Sequence, residues 1–314
     1  MKRVLVVGEL NVDIVVTGTP RLPELGVELM VDDISVQMGS SSAICACGLA
    51  RLGSHVSFRG NVGDDRFGGF VRETLETRGI DTSRVSSCHP VRTGITICIA
   101  LENERAQLTY GGSLLTLVPQ DVPPACLDGF HHLHMASYYL QEPLQPAFLT
   151  LFKAAKQNGM TTSFDTGCDA SGAWNSGLRE LFPFVDILLV NESEAIGITG
   201  EENWRDAGRT LSGLVPWLPL KRGAGGSCLF HEGKTYEAGP LAVESIDTTG
   251  AGDSFNAGFI HGFLEGWPPE KCLRLANVCG ALSTQATGGI TGQATHDQAL
   301  DLLDRIDVRV SAAE

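Results

Sequence analysis

Short apolar runs alternate with longer amphipathic ones along much of this 314-residue chain. Val4–Val7 is apolar and β-branched-rich and stops at Gly8, the pattern of a buried strand. Ser41–Leu52 is small and apolar and ends at Gly53, which predicts a tightly packed helix; Phe67–Arg78 has helical spacing and ends at Gly79. From residue 131 the alternation is regular. Strand-like runs occupy His132–Ala136, Thr161–Phe164, Val185–Val190 and Ser227–Phe230. Helix-like runs occupy Leu144–Asn158, Glu192–Thr199, Asn203–Leu214, Asp253–Leu264 and Pro269–Gln285. Such alternation predicts an α/β fold whose central, mostly parallel sheet is covered by helices on both faces.

Two stretches break the rhythm. Ile14–Thr17 and Met30–Val36 read as strands joined through Gly18–Gly26, with no helix-length pattern between them. Gly94–Leu101 and Ala106–Tyr110 flank a polar turn and read as a hairpin. Together they predict one small β-sheet, formed by residues 14–37 and 92–111, beside a core of 1–13, 38–91 and 112–314. The last residues, Ser311–Glu314, are expected to fray.

Composition narrows the function. Asp and Glu total 37 against 23 Lys and Arg, a net charge of −14, which argues against a nucleic-acid partner. It leaves room for a nucleotide site, where backbone N–H groups and a metal ion hold the phosphates. The nine cysteines show no C-x-x-C spacing and read as small buried thiols in a reducing compartment. The opening apolar run is too short for a signal peptide, and no apolar stretch has membrane length; a cytoplasmic protein is expected.

The most informative segment is Asp247-Thr248-Thr249-Gly250-Ala251-Gly252-Asp253-Ser254-Phe255. Two glycines flank an alanine just before a predicted helix. Such a turn brings backbone N–H groups close to a ligand, and the helix start adds unpaired donors for phosphate oxygens. Asp253, in the first turn, can accept a proton from an attacking hydroxyl, or can merely favour the helix start. Asn191-x-x-Glu194 follows an apolar strand, where a carboxylate faces a ligand crevice, although Asn191 there is also a natural N-cap.

The long string at 247–255 resembles the C-terminal signature of the ribokinase-like, or PfkB, carbohydrate kinases. Other segments resemble that family in the same order: Gly8–Asp13, Gly39–Gly53, Gly60–Gly68, Asn191–Glu194 and Lys221–Gly226. The resemblance implies a ribokinase-like fold with the small sheet as a lid, and ATP-dependent transfer of a phosphoryl group to a hydroxyl of a sugar-like substrate. It implies Asp253 as base and the backbone of Gly250, Ala251 and Gly252 as anion hole. For the nucleotide it implies Asn191, Lys221, Gly223, Gly226, Thr248, Asn277 and Thr284, with Glu194 acting on Mg2+ through water. It implies a monovalent cation, K+, near Asp247, Thr249 and Gly289. For the acceptor it implies Asn11, Asp13, Gly39, Ser40, Ser41 and Ser137, with Thr93, Arg105 and Tyr110 contributed by the lid. It also implies a homodimer formed through paired lids.

Two departures bear on the acceptor. Ile44 stands where ribokinases carry an asparagine, and Ser137 where they carry a glutamate. A nucleoside kinase, or a catalytically silent sugar or nucleoside sensor, shares the fold. A dinucleotide oxidoreductase lacks its G-x-G-x-x-G after Val7, and no P-loop motif occurs. His132 and His134 alternate on one strand and could share a face, but no matching second metal-binding cluster accompanies them.

Overall fold

The structure is a computed structural model that describes residues 2–101, 105–174 and 177–312. Its main sheet has ten strands. In chain order its elements begin with β1 (Arg3–Val7). The small sheet then opens with β2 (Asn11–Thr17) and β3 (Asp33–Met38), followed by α1 (Ser41–Arg51), β4 (His55–Gly63), α2 (Arg66–Thr77) and β5 (Asp81–Cys88). The chain returns to the small sheet with β6 (Gly94–Ala100) and β7 (Arg105–Tyr110). There follow β8 (His132–Met135), α3 (Gln145–Gln157), β9 (Thr161–Asp165), β10 (Ile187–Asn191), α4 (Glu192–Thr199), α5 (Trp204–Ser212) and β11 (Trp217–Lys221). The last elements are β12 (Ser227–His231), β13 (Lys234–Ala238), α6 (Ala251–Leu264), α7 (Pro269–Ser283), α8 (His296–Leu300) and β14 (Val308–Ala312).

Strand order in the main sheet is β14-β13-β12-β11-β10-β9-β8-β1-β4-β5. The run from β5 to β11 is parallel, and β12 to β14 extend it antiparallel. The sheet is buried on both faces, as parallel sheets must be. Alternate residues of β1 point to opposite cores. Val4 and Val6 join α1, α6 and α7 through Leu49, Phe259 and Leu275, whereas Leu5 and Val7 join α3 to α5 through Phe148, Ala195 and Leu211. Phe148, Phe152 and Phe164 meet edge to face with centroids 5.6–6.2 Å apart, the geometry ring quadrupoles favour.

The small sheet has the order β3-β2-β6-β7, with β2 and β6 parallel and the outer pairs antiparallel. Its limits differ slightly from the expected ones. β2 starts at Asn11 rather than Ile14, because pairing with β6 begins at Asn11 opposite Gly94. β3 runs Asp33–Met38 rather than Met30–Val36, since Met38 pairs with Val12.

Several strands carry no clean alternation in sequence. β4, β5, β11 and β13 are held by their neighbours rather than by their own pattern: β11 contains Pro219 and β5 is mostly polar. The C-terminus is not frayed at Ser311, which pairs with Thr235 in β14. No disulfide joins the cysteines among the described residues; six are buried as expected, Cys88 and Cys98 are half-buried, and Cys168 is exposed.

Candidate active site

Parallel strands end together, so residues just past β1, β8, β9, β10 and β11 share one edge of the sheet. There the chain places Glu9, Ser137, Asp165, Asn191 and Lys221 in spatial order, and the N-terminus of α6 faces them. Gly250 caps that helix with φ 71°, a left-handed conformation that costs glycine little. A Cβ at residue 250 would stand 2.7 Å from the Gly289 Cα, so the loop around Gly289 packs directly on the turn. Gly252 and Asp253 fall in the first helical turn, where N–H groups lack a partner inside the helix; the Ala251 N–H donates to the Thr248 carbonyl at 3.2 Å.

Lys221 reaches the same point. Its ammonium lies 2.8 Å from Asp165 Oδ2 and 3.3 Å from Asn256 Oδ1. Asn256 Nδ2 donates to Asp165 Oδ2 at 2.6 Å, and the Gly167 N–H donates to Asp165 Oδ1 at 2.9 Å. The lysine nitrogen is 3.8 Å from where a Cβ on Gly252 would sit. Asp253 and Asn256 are three apart on α6 and therefore share a face.

Charges crowd here. Lost hydration and then the Asp165 carboxylate push Asp253 up to about 8; Glu9 adds to the rise, while Lys221 and a hydrogen bond from Ser41 oppose it. Burial and then Asp165 push Glu194 up to about 7, against Lys221 and the Asn191 N–H. Burial also works against an ionised Asp165, but Lys221 and the hydrogen bonds from Gly167 and Asn256 outweigh it and hold the carboxyl below its usual range. Burial disfavours the Lys221 ammonium, yet Asp165, Glu194 and Asp253 together hold its pKa above the ordinary lysine value.

On the acceptor side, Asn11 Nδ2 donates to Asp13 Oδ1 and to Thr96 Oγ1, each at 3.1 Å. Gly39 lies so close that a Cβ there would collide with Asp13 Oδ1 and stand 2.8 Å from Asn11 Oδ1. Glu9 ties this side together: its carboxylate accepts from the Ser42 N–H (3.1 Å), Ser42 Oγ (2.6 Å) and Ser137 Oγ (2.9 Å). Its carbonyl accepts from Ser40 Oγ at 2.5 Å. Ser40 (φ 75°) and Ser137 (φ 53°) are both left-handed without being glycine, so Glu9 anchors two strained residues at the crevice.

The pfkB family carbohydrate kinase profile matches residues 1–296. The chain belongs to that family. It is 29% identical over 308 residues to the ATP-dependent ribose-1-phosphate kinase of Halopiger xanaduensis, covering 98% of this chain and all of that one. Arabidopsis thaliana ribokinase, solved with ribose and ATP, superposes with a TM-score of 0.84 at 27% identity over 96% of this chain and 99% of that one. A putative ribokinase II from E. coli, solved with ATP and Mg2+, superposes with a TM-score of 0.88 at 21% identity over 97% of this chain and all of that one. The fold is therefore ribokinase-like, and the family's activity is ATP-dependent phosphoryl transfer.

Not every residue singled out in the sequence faces the crevice. Thr93 is fully buried, its hydroxyl donating to Asp65 Oδ1 (2.7 Å) and accepting from the Gly63 N–H (3.0 Å), so it braces the chain just before β6. Tyr110 is about half exposed on the edge strand β7. The side chain of Arg105 lies outside the described residues. Asn191 and Glu194 form a reciprocal cap, each donating its N–H to the other's side chain at 2.8 Å, so the capping role holds whatever else they do. Asn277 donates to the Gly239 carbonyl at 2.9 Å, and Thr284 Oγ1 to the Ala281 carbonyl at 2.8 Å. Gly223 (φ 52°) and Gly226 (φ 82°) are both left-handed, as the turn after β11 requires, and Thr248 is exposed.

Asp247 accepts from the Thr249 and Gly288 N–H groups at 2.9 and 2.8 Å, which joins the two loops singled out for a cation. His132 and His134 share a face but are buried and bonded to Thr161 and Ser163, and no cluster of three or more His, Cys, Asp or Glu suited to a metal occurs among the described residues. Two surface cavities, of about 250 and 490 Å3, lie elsewhere, against Arg205 and Glu237 and against Arg51 and Gln285 respectively.

Three site residues were missed from sequence. Glu9 follows the apolar strand β1 by two residues, while Asp165 ends β9, whose Thr-Thr-Ser-Phe run carries no apolar signal. Asn256 was legible as the i+3 neighbour of Asp253.

Proposed function

We propose that this kinase moves the γ-phosphoryl group of ATP to a hydroxyl of a neutral, hydroxyl-rich acceptor, with Asp253 as the base. The observation that carries the reading is the meeting at one helix start of the Asp253 carboxyl, the N–H groups of its first turn and the Lys221 ammonium. The acceptor lies against Asn11, Asp13, Gly39, Ser41 and Ser137. Its attacking hydroxyl gives its proton to Asp253 as the new oxygen–phosphorus bond forms and the bond from the γ-phosphorus to the β–γ bridging oxygen breaks, releasing ADP. The N–H groups of residues 250–252 and the Lys221 ammonium hold the charge on the migrating group. Asn191, Gly223, Gly226, Thr248, Asn277 and Thr284 border the nucleotide.

Mg2+ supplies charge neutralisation of the phosphates. Glu194 suits a water-mediated contact with it, because one of its oxygens is already taken by the Asn191 N–H and no all-protein cage surrounds it. K+ would sit between the loops around Asp247, Thr249 and Gly289, which Asp247 joins through the Thr249 and Gly288 N–H groups, with main-chain carbonyls as its ligands. The described groups on the acceptor side are carboxylates, amides and hydroxyls, which suit vicinal hydroxyls better than an acceptor phosphate.

The small sheet (14–37 and 92–111) closes over the acceptor and excludes water. Its outer face exposes Ile34, Val36, Ile97, Leu108 and Tyr110, and register places Val36, Ile97 and Leu108 in one row through Ile14. An apolar row of that kind supports lid-to-lid pairing in a homodimer. No described helix is long and apolar enough to cross a membrane, which accords with a cytoplasmic enzyme.

The test is ADP release with ribose, fructose, ribose 1-phosphate, a keto-deoxy sugar acid and adenosine, each with saturating Mg-ATP. Asp253→Asn is expected to lose on the order of 10²–10⁴-fold in kcat while retaining ATP affinity. Full turnover by that variant removes Asp253 from the mechanism, and preference for ribose 1-phosphate removes the neutral acceptor.

A further inference from the structure

We propose that Asp165 and Asn256 are positioning residues that hold the Lys221 ammonium over the 250–252 turn, where it meets the transferred phosphoryl group. The inference rests on the phosphoryl-transfer reading above and extends it to residues that touch neither nucleotide nor acceptor.

The argument begins with what a buried lysine needs. An ammonium on a four-carbon stem has three N–H donors and many rotamers. Two of its donors are committed, to Asp165 Oδ2 at 2.8 Å and Asn256 Oδ1 at 3.3 Å. These partners are themselves locked. Asn256 uses its amide nitrogen on the same Asp165 oxygen at 2.6 Å, and the Gly167 N–H fixes the other Asp165 oxygen at 2.9 Å. The three side chains form a closed ring whose members come from the ends of β9 and β11 and from the first turns of α6. With two donors held by the ring, the end of the lysine lies beside Gly252, whose Cβ position is 3.7 Å from Lys221 Cδ and 3.8 Å from its nitrogen.

Glycine at 252 leaves that space open to a ligand. A phosphoryl group bound by the helix start comes within reach of a cation whose position is set before it arrives, so no reorganisation is needed as charge develops. A looser lysine is still a cation, but one displaced by an ångström, and such a displacement costs about 10²-fold in rate.

The charged groups facing Asp253 in this arrangement are Asp165 from β9, Lys221 from β11 and Glu9 after β1; α1 contributes the Ser41 hydroxyl and the Cys45 thiol, and Glu194 on α4 acts on both Asp165 and Lys221. Asp165 and Lys221 press the base in opposite directions. Their removal therefore leaves opposite marks on the pH profile, which a general loss of structure does not.

The experiment compares wild type with Asp165→Asn, Asn256→Ala, Lys221→Met and the double variant Asp165→Asn/Lys221→Met. ADP release is followed with the fastest acceptor of the panel, or with water as acceptor where none is faster, and folding is checked by thermal melting. Lys221→Met is expected to lose about 10²–10³-fold in kcat. Asp165→Asn is expected to lose about 10–10²-fold in kcat with the KM for ATP changed less than about threefold, and Asn256→Ala less than Asp165→Asn. The double variant falls no lower than Lys221→Met alone, because Asp165 acts through the lysine. The acid limb of kcat/KM moves to lower pH in Asp165→Asn and to higher pH in Lys221→Met.

Losses that multiply in the double variant overturn the proposal, as does an Asp165→Asn enzyme within threefold of wild type. Should Asp165→Asn not fold, Asn256→Ala decides alone: it retains the ion pair, so unchanged kcat sinks the ring. Failure of the base reading is seen separately, in full activity of Asp253→Asn.

Discussion

Replacing Asp253 with asparagine is expected to stabilise the folded protein while slowing turnover as stated above, and the gain has a defined pH dependence. The folded carboxyl titrates at about 8, raised first by lost hydration and then by Asp165, whereas the unfolded chain titrates near 3.8. Between those values the folded state holds a proton that the unfolded state has released. Wild-type stability therefore falls with rising pH across this window, by about 1.4 kcal/mol per unit, and the slope vanishes below the lower value and above the upper one. From pH 6 to pH 8, where the slope tapers as the folded pKa is reached, the fall is about 2 kcal/mol. Asparagine carries no such slope, so the stability gap between variant and wild type widens by that amount over the same interval. For a chain of this size the gap in Tm grows by roughly 3–4 °C. Glu194, pushed to about 7, titrates in both proteins and largely cancels. Paired thermal melts at pH 5, 6, 7, 8 and 9 measure the effect. A constant gap across the series, or a variant less stable than wild type at pH 8.5, refutes the claim that the crevice holds this carboxyl against its charge.

Three further outcomes follow from the same geometry. Gly250→Ala places a methyl 2.7 Å from the Gly289 Cα at φ 71°, so a loss of about 1–3 kcal/mol in stability by denaturant titration and at least tenfold in kcat is expected. Glu9→Gln leaves one of three donors, from the Ser42 amide, Ser42 Oγ and Ser137 Oγ, facing an NH2 group; about 1–3 kcal/mol is lost, and the acid limb of kcat/KM moves to lower pH because a carboxylate that raises Asp253 is gone. Ile34→Glu with Leu108→Glu, on the outer face of the lid, is expected to halve the mass measured by sedimentation without altering the Tm of the core by more than a few degrees; an unchanged mass argues against lid pairing.

The central alternation and the segment 247–255 were legible because each carries a local signal. Apolar runs such as Val185–Val190 are strands on their own pattern, and a glycine pair before an apolar helix marks the turn around Gly250. β5 and β11 carry no such signal. Asp81–Cys88 is largely polar, and Trp217–Lys221 holds a proline, yet both are fixed by pairing with β4 and with β10 and β12. Site residues divide in the same way. Asp253 is announced by its neighbours in sequence, but Thr93 reads like a ligand until its burial against Asp65 is known. Asp165 and Lys221 lie 56 residues apart and meet only because β9, β10 and β11 are adjacent and parallel.

That adjacency explains why the crevice tolerates so much buried charge. Glu9, Asp165, Glu194 and Asp253 bring four carboxyls to one sheet edge, against a single ammonium from Lys221 among the groups that act on Asp253. A stability-driven sequence does not assemble this, because each like charge raises the cost of the next. Lys221 offsets them in part, pulling Asp253 down while Asp165 and Glu9 push it up, and the excess of carboxyls leaves the folded protein weaker as the pH rises toward the Asp253 value of about 8.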